Sequence, residues 1–233
     1  MKAKTKSPPA APVPPRRRVL VVDDHPFMRA GLAQLINRQA DLEVCGEAGN
    51  TADALRAVKE LRPDLVLSDL TMADRGGLEF IKDLQAAEAS PPVLVVSMHD
   101  EAIYAERVLR AGARGYIMKE AGGESLLGAI RQVLRGEIYV SPKQAALVLE
   151  NLSGRRPRGS DSPIKQLTDR EFEVFQLIGQ GKSTQDISGQ LHLSPKTVDV
   201  HRSNIKQKLG LKDATGLVRH AVRWVETQGR ESP

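Results

Sequence analysis

Five short apolar runs, each followed by a stretch with helical spacing, constrain the fold of this chain more than any other feature. The runs lie at 18–22, 42–48, 65–70, 93–97 and 115–118, and helices are expected at about 26–39, 51–61, 77–87, 102–111 and 124–135. Such alternation predicts a parallel sheet with helices on both faces. Pro26 suits the first turn of the first helix, and Asn50 with Asp53 can cap the second. In an open parallel sheet, side chains at the C-terminal strand ends converge on one crevice. Here those ends are polar: Asp23 and Asp24, Asp69, Ser97 and Lys119. Three carboxylates, a hydroxyl and an ammonium together make a hard-cation site with a nucleophile and a phosphate clamp. An isolated acidic pair after a strand is usually a cap or a solvated turn, and an isolated lysine there means less. The order of all five at the correct ends is what makes them a site.

A length of 233 residues allows one large or two modest domains. No apolar run approaches the ~20 residues of a membrane span, so no membrane is expected. The basic N-terminus lacks the apolar stretch of a secretory signal. Cys45 is the only cysteine, which excludes internal disulfides and fits a reducing cytoplasm. It sits in the apolar segment Leu42–Cys45 and reads as a buried, inert thiol. The net charge of +5 is uneven: residues 1–18 carry +6, residues 19–154 carry −6 and residues 155–233 carry +5. An acidic body joined to a basic C-terminal part suggests two tasks, with nucleic acid as a partner for the second.

Residues 1–17 are Pro-rich and basic, and lack the apolar residues to build a core. The strand–helix body occupies 18–137. A linker at 138–163 follows, with a short amphipathic helix from Pro142 to Leu152 and a flexible basic stretch after it. Beyond this the apolar spacing is wholly helical across 164–228, with a tail at 229–233. Thr168 and Glu171 match a capping box opening helix 169–179. Helix 184–191 is followed by the turn His192–Leu193, and Ser194 with Pro195 opens helix 195–209. A last helix is expected from about Asp213 to Gln228.

On the residues at its strand ends, the segment from 18 to about 137 resembles the receiver domain of two-component response regulators, which implies a flavodoxin-like five-strand fold. Carried over position by position, the resemblance makes Asp69 the phospho-acceptor and Asp23 and Asp24 the acidic pair that holds magnesium. It makes Ser97 the switch hydroxyl, Tyr116 the switch aromatic, Lys119 the invariant lysine and Gly77 the glycine of the loop after the acceptor. The backbone carbonyl of Thr71 is the further metal ligand it implies. Magnesium takes oxygen donors and keeps several waters, so one or two direct carboxylates plus a phosphoryl oxygen suffice. Three positions depart from the receiver pattern. Glu120 follows Lys119 where proline is common, so no cis peptide is expected there; Ala73 replaces a frequent proline after Met72; and Met98 stands where a smaller residue is usual. Met98 is expected to narrow access for phosphodonors. His25 and His99 flank the site and read as loop residues rather than catalysts.

Leu167–Glu171, Ile178–Ser183, Leu193–Ser194, Lys196–Val198, His201, Asn204–Ile205 and Lys208–Leu209 together resemble the LuxR-type helix-turn-helix of NarL/FixJ response regulators. The resemblance implies an all-α, four-helix domain, with Ser188 standing where alanine is usual. On helix 195–209, Val198, His201, Ile205 and Leu209 recur at core spacing, and Lys196, Asp199, Val200, Ser203 and Gln207 share the opposite face. The second helix of such a motif enters the major groove. Asp199, Val200 and Ser203 are therefore assigned to bases, and Lys182, Lys196, Arg202 and Lys206 to phosphates, with Thr197 also at the DNA. Asp199 either accepts from a cytosine amino group or stays in solvent. Trp224, on the last helix with Leu217, Ala221 and Val225, suits core packing or a dimer contact, with core packing favoured.

The expected function is a response regulator transcription factor, not an enzyme. A sensor histidine kinase would phosphorylate Asp69 with magnesium bound. Ser97 would then move toward the phosphoryl oxygens, Tyr116 would turn inward, and the protein would bind double-stranded promoter DNA as a homodimer. A phosphorylation-independent DNA-binding regulator is the alternative, and the intact acidic site argues against it. A phosphatase acting through an aspartyl-phosphate wants a second acid two residues after the nucleophile, where this chain has Thr71.

Overall fold

The computed structural model describes residues 15–72, 76–87, 90–146, 163–191 and 193–230. Strands β1 (Arg17–Val22), β2 (Leu42–Ala48), β3 (Leu65–Asp69), β4 (Val93–Ser97) and β5 (Gly115–Met118) alternate with helices α1 (Pro26–Asn37), α2 (Thr51–Leu61), α3 (Gly77–Gln85), α4 (Glu101–Arg110) and α5 (Gly123–Leu134). All strand pairings are parallel, in the order β2-β1-β3-β4-β5. The order reverses at β1, between β2 and β3, so the crevice opens beside the ends of β1 and β3. This is the five-strand flavodoxin-like architecture.

Side chains alternate across the sheet with period two, and each face carries its own core. Leu20, Val22, Val66, Val93, Val95 and Tyr116 face one side, with Phe80, Ile81, Tyr104 and Val108 of α3 and α4. Val19, Val21, Leu65, Leu67, Leu94, Val96 and Ile117 face the other, against Ile36 of α1 and Ile130 of α5. β3 and β4 are buried throughout, as strands covered on both sides must be. The Asn50 side chain accepts from Asp53 N–H at 2.8 Å and caps α2 as expected, and Pro26 occupies the first turn of α1.

The sheet does not end at the expected limit of 137. Tyr139 N–H donates to Arg114 O at 3.0 Å, and its carbonyl accepts Tyr116 N–H at 2.9 Å. The chain leaving α5 thereby adds a parallel bridge at the free edge of β5. Open edges attract such pairing because their backbone groups lack partners. Residues 142–146 are helical, and the rest of the helix expected to Leu152 lies outside the described residues, as do Ala73, His192 and residues 1–14 of the basic tail.

The C-terminal part is four helices: α6 (Asp169–Gly179), α7 (Thr184–Gln190), α8 (Pro195–Lys208) and α9 (Ala214–Arg230). Thr168 and Glu171 form the anticipated capping box, and Ser183 with Asp186 forms a second one on α7. Phe172, Phe175, Ile178, Ile187, Val198, Ile205, Leu217 and Ala221 make the small core. Trp224 packs against Phe172 and Phe175, with ring centroids 5.4 and 5.7 Å away, which settles it in core packing. Gly179 lies so close to the Ala221 carbonyl that a Cβ would overlap it, and this closeness lets α6 and α9 pack. The Ser188 hydroxyl donates to Leu193 O, so the departure from alanine adds a bond within the turn.

The two parts touch through α3, α4 and α6. Arg107, only 8% exposed, donates from Nη1 to Leu167 O (2.9 Å) and Asp169 Oδ1 (3.3 Å), and from Nη2 to Ile164 O (3.0 Å). Its guanidinium lies 4.4 Å from the centre of the Phe172 ring. Lys82 pairs with Asp169 at 2.7 Å and Glu79 with Arg170 at 2.6 Å.

Candidate phosphoryl-acceptor site and DNA-reading face

The ends of three strands and one 3-10 turn deliver the crevice. Asp23 follows β1, Asp69 closes β3, Ser97 closes β4, and Lys119 opens the turn Lys119–Ala121 after β5. Lys119 Nζ lies 2.9 Å from Asp23 Oδ2 and 2.9 Å from Asp69 Oδ2, a bridge between carboxylates of two strands. Asp23, Asp69 and Ser97 are almost fully buried. Among the described residues no peptide is cis, and Lys119 reaches the acids all the same, so Glu120 does not spoil the loop.

Each carboxylate is oriented by backbone. Asp69 Oδ1 accepts Leu70 N–H at 2.7 Å and Thr71 N–H at 3.3 Å, and Asp23 Oδ1 accepts His25 N–H at 2.8 Å. His25 Nδ1 stands 2.7 Å from Asp24 Oδ1. Ligand atoms of Asp23, Asp24, His25 and Asp69 all lie within 4.8 Å of one another. The sequence reading set His25 aside as a loop residue, and the structure brings its ring to the acidic cluster. Gly77 donates its N–H to Leu70 O at 3.0 Å, and a Cβ there would overlap the Leu70 backbone. That closeness holds the loop after Asp69.

Burial raises the Asp69 carboxyl above the ordinary aspartate range, with the neighbouring Asp23 adding to the rise and Lys119 opposing it. Burial works against the charge on Lys119, but hydrogen bonds and attraction to Asp23 and Asp69 outweigh it and hold the ammonium above its ordinary value. His99 is pushed down by burial and by the Lys119 charge, which favours the neutral ring. A dense set of hard oxygen donors with one acid already disfavoured as an anion fits a divalent cation such as magnesium.

One expectation is corrected. Tyr116 is already inside, fully buried, with its hydroxyl donating to His99 O at 2.6 Å. Burial also pushes its phenol well above the ordinary value.

The face of α8 expected to read DNA is open even with the N-terminal domain docked. Lys182, Lys196, Asp199, Val200 and Ser203 are exposed, and Arg202 and Lys206 are half-buried. Val200 keeps 52% of its surface in solvent. Thr197 is committed locally: its N–H donates to Ser194 Oγ at 3.1 Å and its hydroxyl bonds the same oxygen at 2.8 Å. Arg202 leans toward the Thr184 hydroxyl at 3.4 Å. Val198 and Ile205 are buried and His201 is half-buried, as the core spacing required. The contacts of Arg107, Tyr104 and Lys82 fall on α6 and the segment before it, not on α8.

Comparison with known proteins agrees with this layout. Residues 19–131 match the response regulator receiver domain, and residues 165–221 match the bacterial regulatory proteins of the luxR family. The response regulator GacA of Pseudomonas aeruginosa is 38% identical over 206 residues, covering 88% of this chain and 95% of that one. The oxygen regulatory protein NreC of Staphylococcus carnosus is 36% identical over 211 residues, covering 88% and 97%. RcsB of Salmonella enterica serovar Typhimurium, solved on promoter rprA with a phosphomimetic, superposes with a TM-score of 0.69 at 22% identity, covering 89% and 99%. With an acidic crevice at the head of a parallel sheet and a luxR-type helical module behind it, the chain belongs to the NarL/FixJ-type response regulators.

Proposed function

We propose that Asp69 stores one phosphoryl group, received from a phosphohistidine on a sensor histidine kinase, and that this charge governs how the chain, a DNA-binding transcription factor, engages its promoters. The observation that carries the assignment is the Lys119 bridge to Asp23 and Asp69 in a buried crevice. Asp69 is the acid at the strand end, its Oδ1 fixed by two backbone N–H groups and its Oδ2 by an ammonium. The backbone keeps the carboxylate aimed, so Lys119 is the group that must shift for an incoming phosphorus. Lys119, released from one carboxylate, donates to a phosphoryl oxygen, and the Ser97 hydroxyl donates to another. Asp23, Asp24 and Asp69, with the Thr71 carbonyl, would hold magnesium, which supplies neutralisation for the negative charge that spreads over the transferred group.

Sequence reading of DNA belongs to the exposed face of α8, with Asp199, Val200 and Ser203 toward bases and Lys182, Lys196, Arg202 and Lys206 toward phosphates. The active form is a homodimer. The test is magnesium-dependent phosphate incorporation in the wild type and in Asp69→Asn, with oligomeric state and DNA affinity followed in both. The wild type is expected to take up label and tighten on DNA, and Asp69→Asn to do neither. DNA affinity and oligomeric state that ignore phosphorylation would overturn the switch.

A further inference from the structure

His99 lies between the acidic crevice and the DNA-binding module. Its backbone N–H donates to Ser97 Oγ at 3.2 Å, and its carbonyl accepts the Tyr116 hydroxyl at 2.6 Å. Ring Nε2 shares a hydrogen bond with Thr71 Oγ1 at 2.8 Å, on the loop that leaves Asp69. The same ring stacks on Tyr104, with centroids 4.8 Å apart and planes inclined by 21°. Tyr104 is in turn docked on the module. Its ring meets Phe172 edge-on at 5.1 Å, and its hydroxyl accepts from the Gln176 amide.

We propose that His99 is the positioning residue through which the state of Asp69 sets the hold of the receiver on the DNA-binding module. The proposal rests on the switch reading of the crevice given above. Three observations support it. Tyr116 is already buried, so an inward swing of that ring is not the change left to make. The Ser97 hydroxyl lies between His99 N–H, which it accepts at 3.2 Å, and the Tyr116 hydroxyl, which also bonds the His99 carbonyl, so turning it toward a phosphoryl group on Asp69 pulls on both sides of the His99 backbone. Finally, a cavity of about 100 Å³ lies against Thr71, His99, Tyr104, Gln176 and Leu191. This cavity is partly open to solvent, and the space beside the ring lets the imidazole move without displacing backbone.

The coupling then follows by linkage. The docked arrangement holds Ser97 on His99 N–H and the His99 ring on Tyr104 together, and a phosphoryl group that draws Ser97 toward Asp69 favours a different His99 position. Whatever binds one state better shifts the population toward it. Phosphorylation therefore weakens the stack and, through Tyr104, the grip on Phe172 and Gln176.

The full chain offers its own reporter. Trp224 is the single tryptophan and lies 5.4 Å from Phe172, on the far side of the same contact. The experiment follows acrylamide quenching of Trp224 with and without saturating magnesium and beryllofluoride, a phosphoryl mimic. The same samples are titrated with a duplex selected from a random library by the wild-type chain. Wild type is expected to become severalfold more quenchable on adding the mimic. His99→Ala is expected to be open before the mimic is added and to change less than twofold. His99→Phe, which keeps a stacking ring, is expected to restore the docked signal in the unmodified chain. Tyr104→Leu cuts the same connection away from the crevice and is expected to behave as His99→Ala. A His99→Ala chain that matches wild type in both states overturns the coupling. Where His99→Ala does not fold, a wild-type response from Tyr104→Leu overturns it equally. A wild type that ignores the mimic removes the switch reading itself, and the coupling with it.

Discussion

Asp69 carries a carboxylate into a place that disfavours it. Burial and the Asp23 charge hold its pKa above the unfolded value, so the folded protein binds that proton more tightly than the unfolded chain does. The stability this gives is full below the unfolded pKa and is lost as pH rises through the folded one; at neutral pH the ionised acid is a net cost. Asp69→Asn is therefore expected to raise the stability of the metal-free protein at pH 7, read by urea unfolding. Magnesium at tenfold its dissociation constant should add about 1.4 kcal/mol to the wild type and much less to Asp23→Asn. No stabilisation by magnesium in the wild type would remove the metal from the proposal. Met98, 49% exposed beside Ser97, gives a kinetic test. Met98→Ala is expected to speed labelling by acetyl phosphate, and an unchanged rate would show that Met98 does not restrict the donor. These residues were legible because strand ends index side chains to one crevice. His99 was not: two of its four contacts run through backbone groups, which leave no mark on a sequence.

At the level of elements, propensity and tertiary contact can be told apart. The capping boxes on α6 and α7, the Ser194–Pro195 start of α8 and the Asn50 cap of α2 follow from short-range chemistry, and the sequence placed three of them. The packing of α4 did not follow. Arg107 sits on an amphipathic helix, where an arginine ordinarily reads as solvated face, yet it is buried on Leu167, Ile164 and Phe172. The edge contact of Tyr139 was equally hidden, because backbone pairing at an open edge needs no particular side chain. The close approach of α6 and α9 at Gly179 has a simple test. Gly179→Ala is expected to destabilise the helical module by ~1–3 kcal/mol through overlap with the Ala221 carbonyl, measured by thermal unfolding, while the receiver's beryllofluoride binding stays intact. A neutral Gly179→Ala would mean that the two helices can part at no cost.

For the whole molecule, the acidic and basic halves inferred from charge are real bodies joined by a polar, cationic contact around Arg107 and Asp169. That contact leaves Lys182, Lys196 and the reading side of α8 in solvent. Each lysine or arginine set on a phosphate contributes to the salt dependence of DNA binding. Lys196→Ala is expected to lower the log–log salt slope of the unmodified chain by about 0.9, with nonspecific duplex as the ligand. An unchanged slope would place Lys196 off the backbone. The open face has a consequence for timing. If that face contacts phosphates as proposed, molecules that have received no signal need not wait free in solution, since their basic surface would hold them loosely along any duplex, sliding and hopping. The search for a promoter is then under way before the stimulus arrives. On the proposed function, latency would then be set by the arrival of a phosphoryl group and the pairing of neighbours already on the DNA, rather than by diffusion from the bulk.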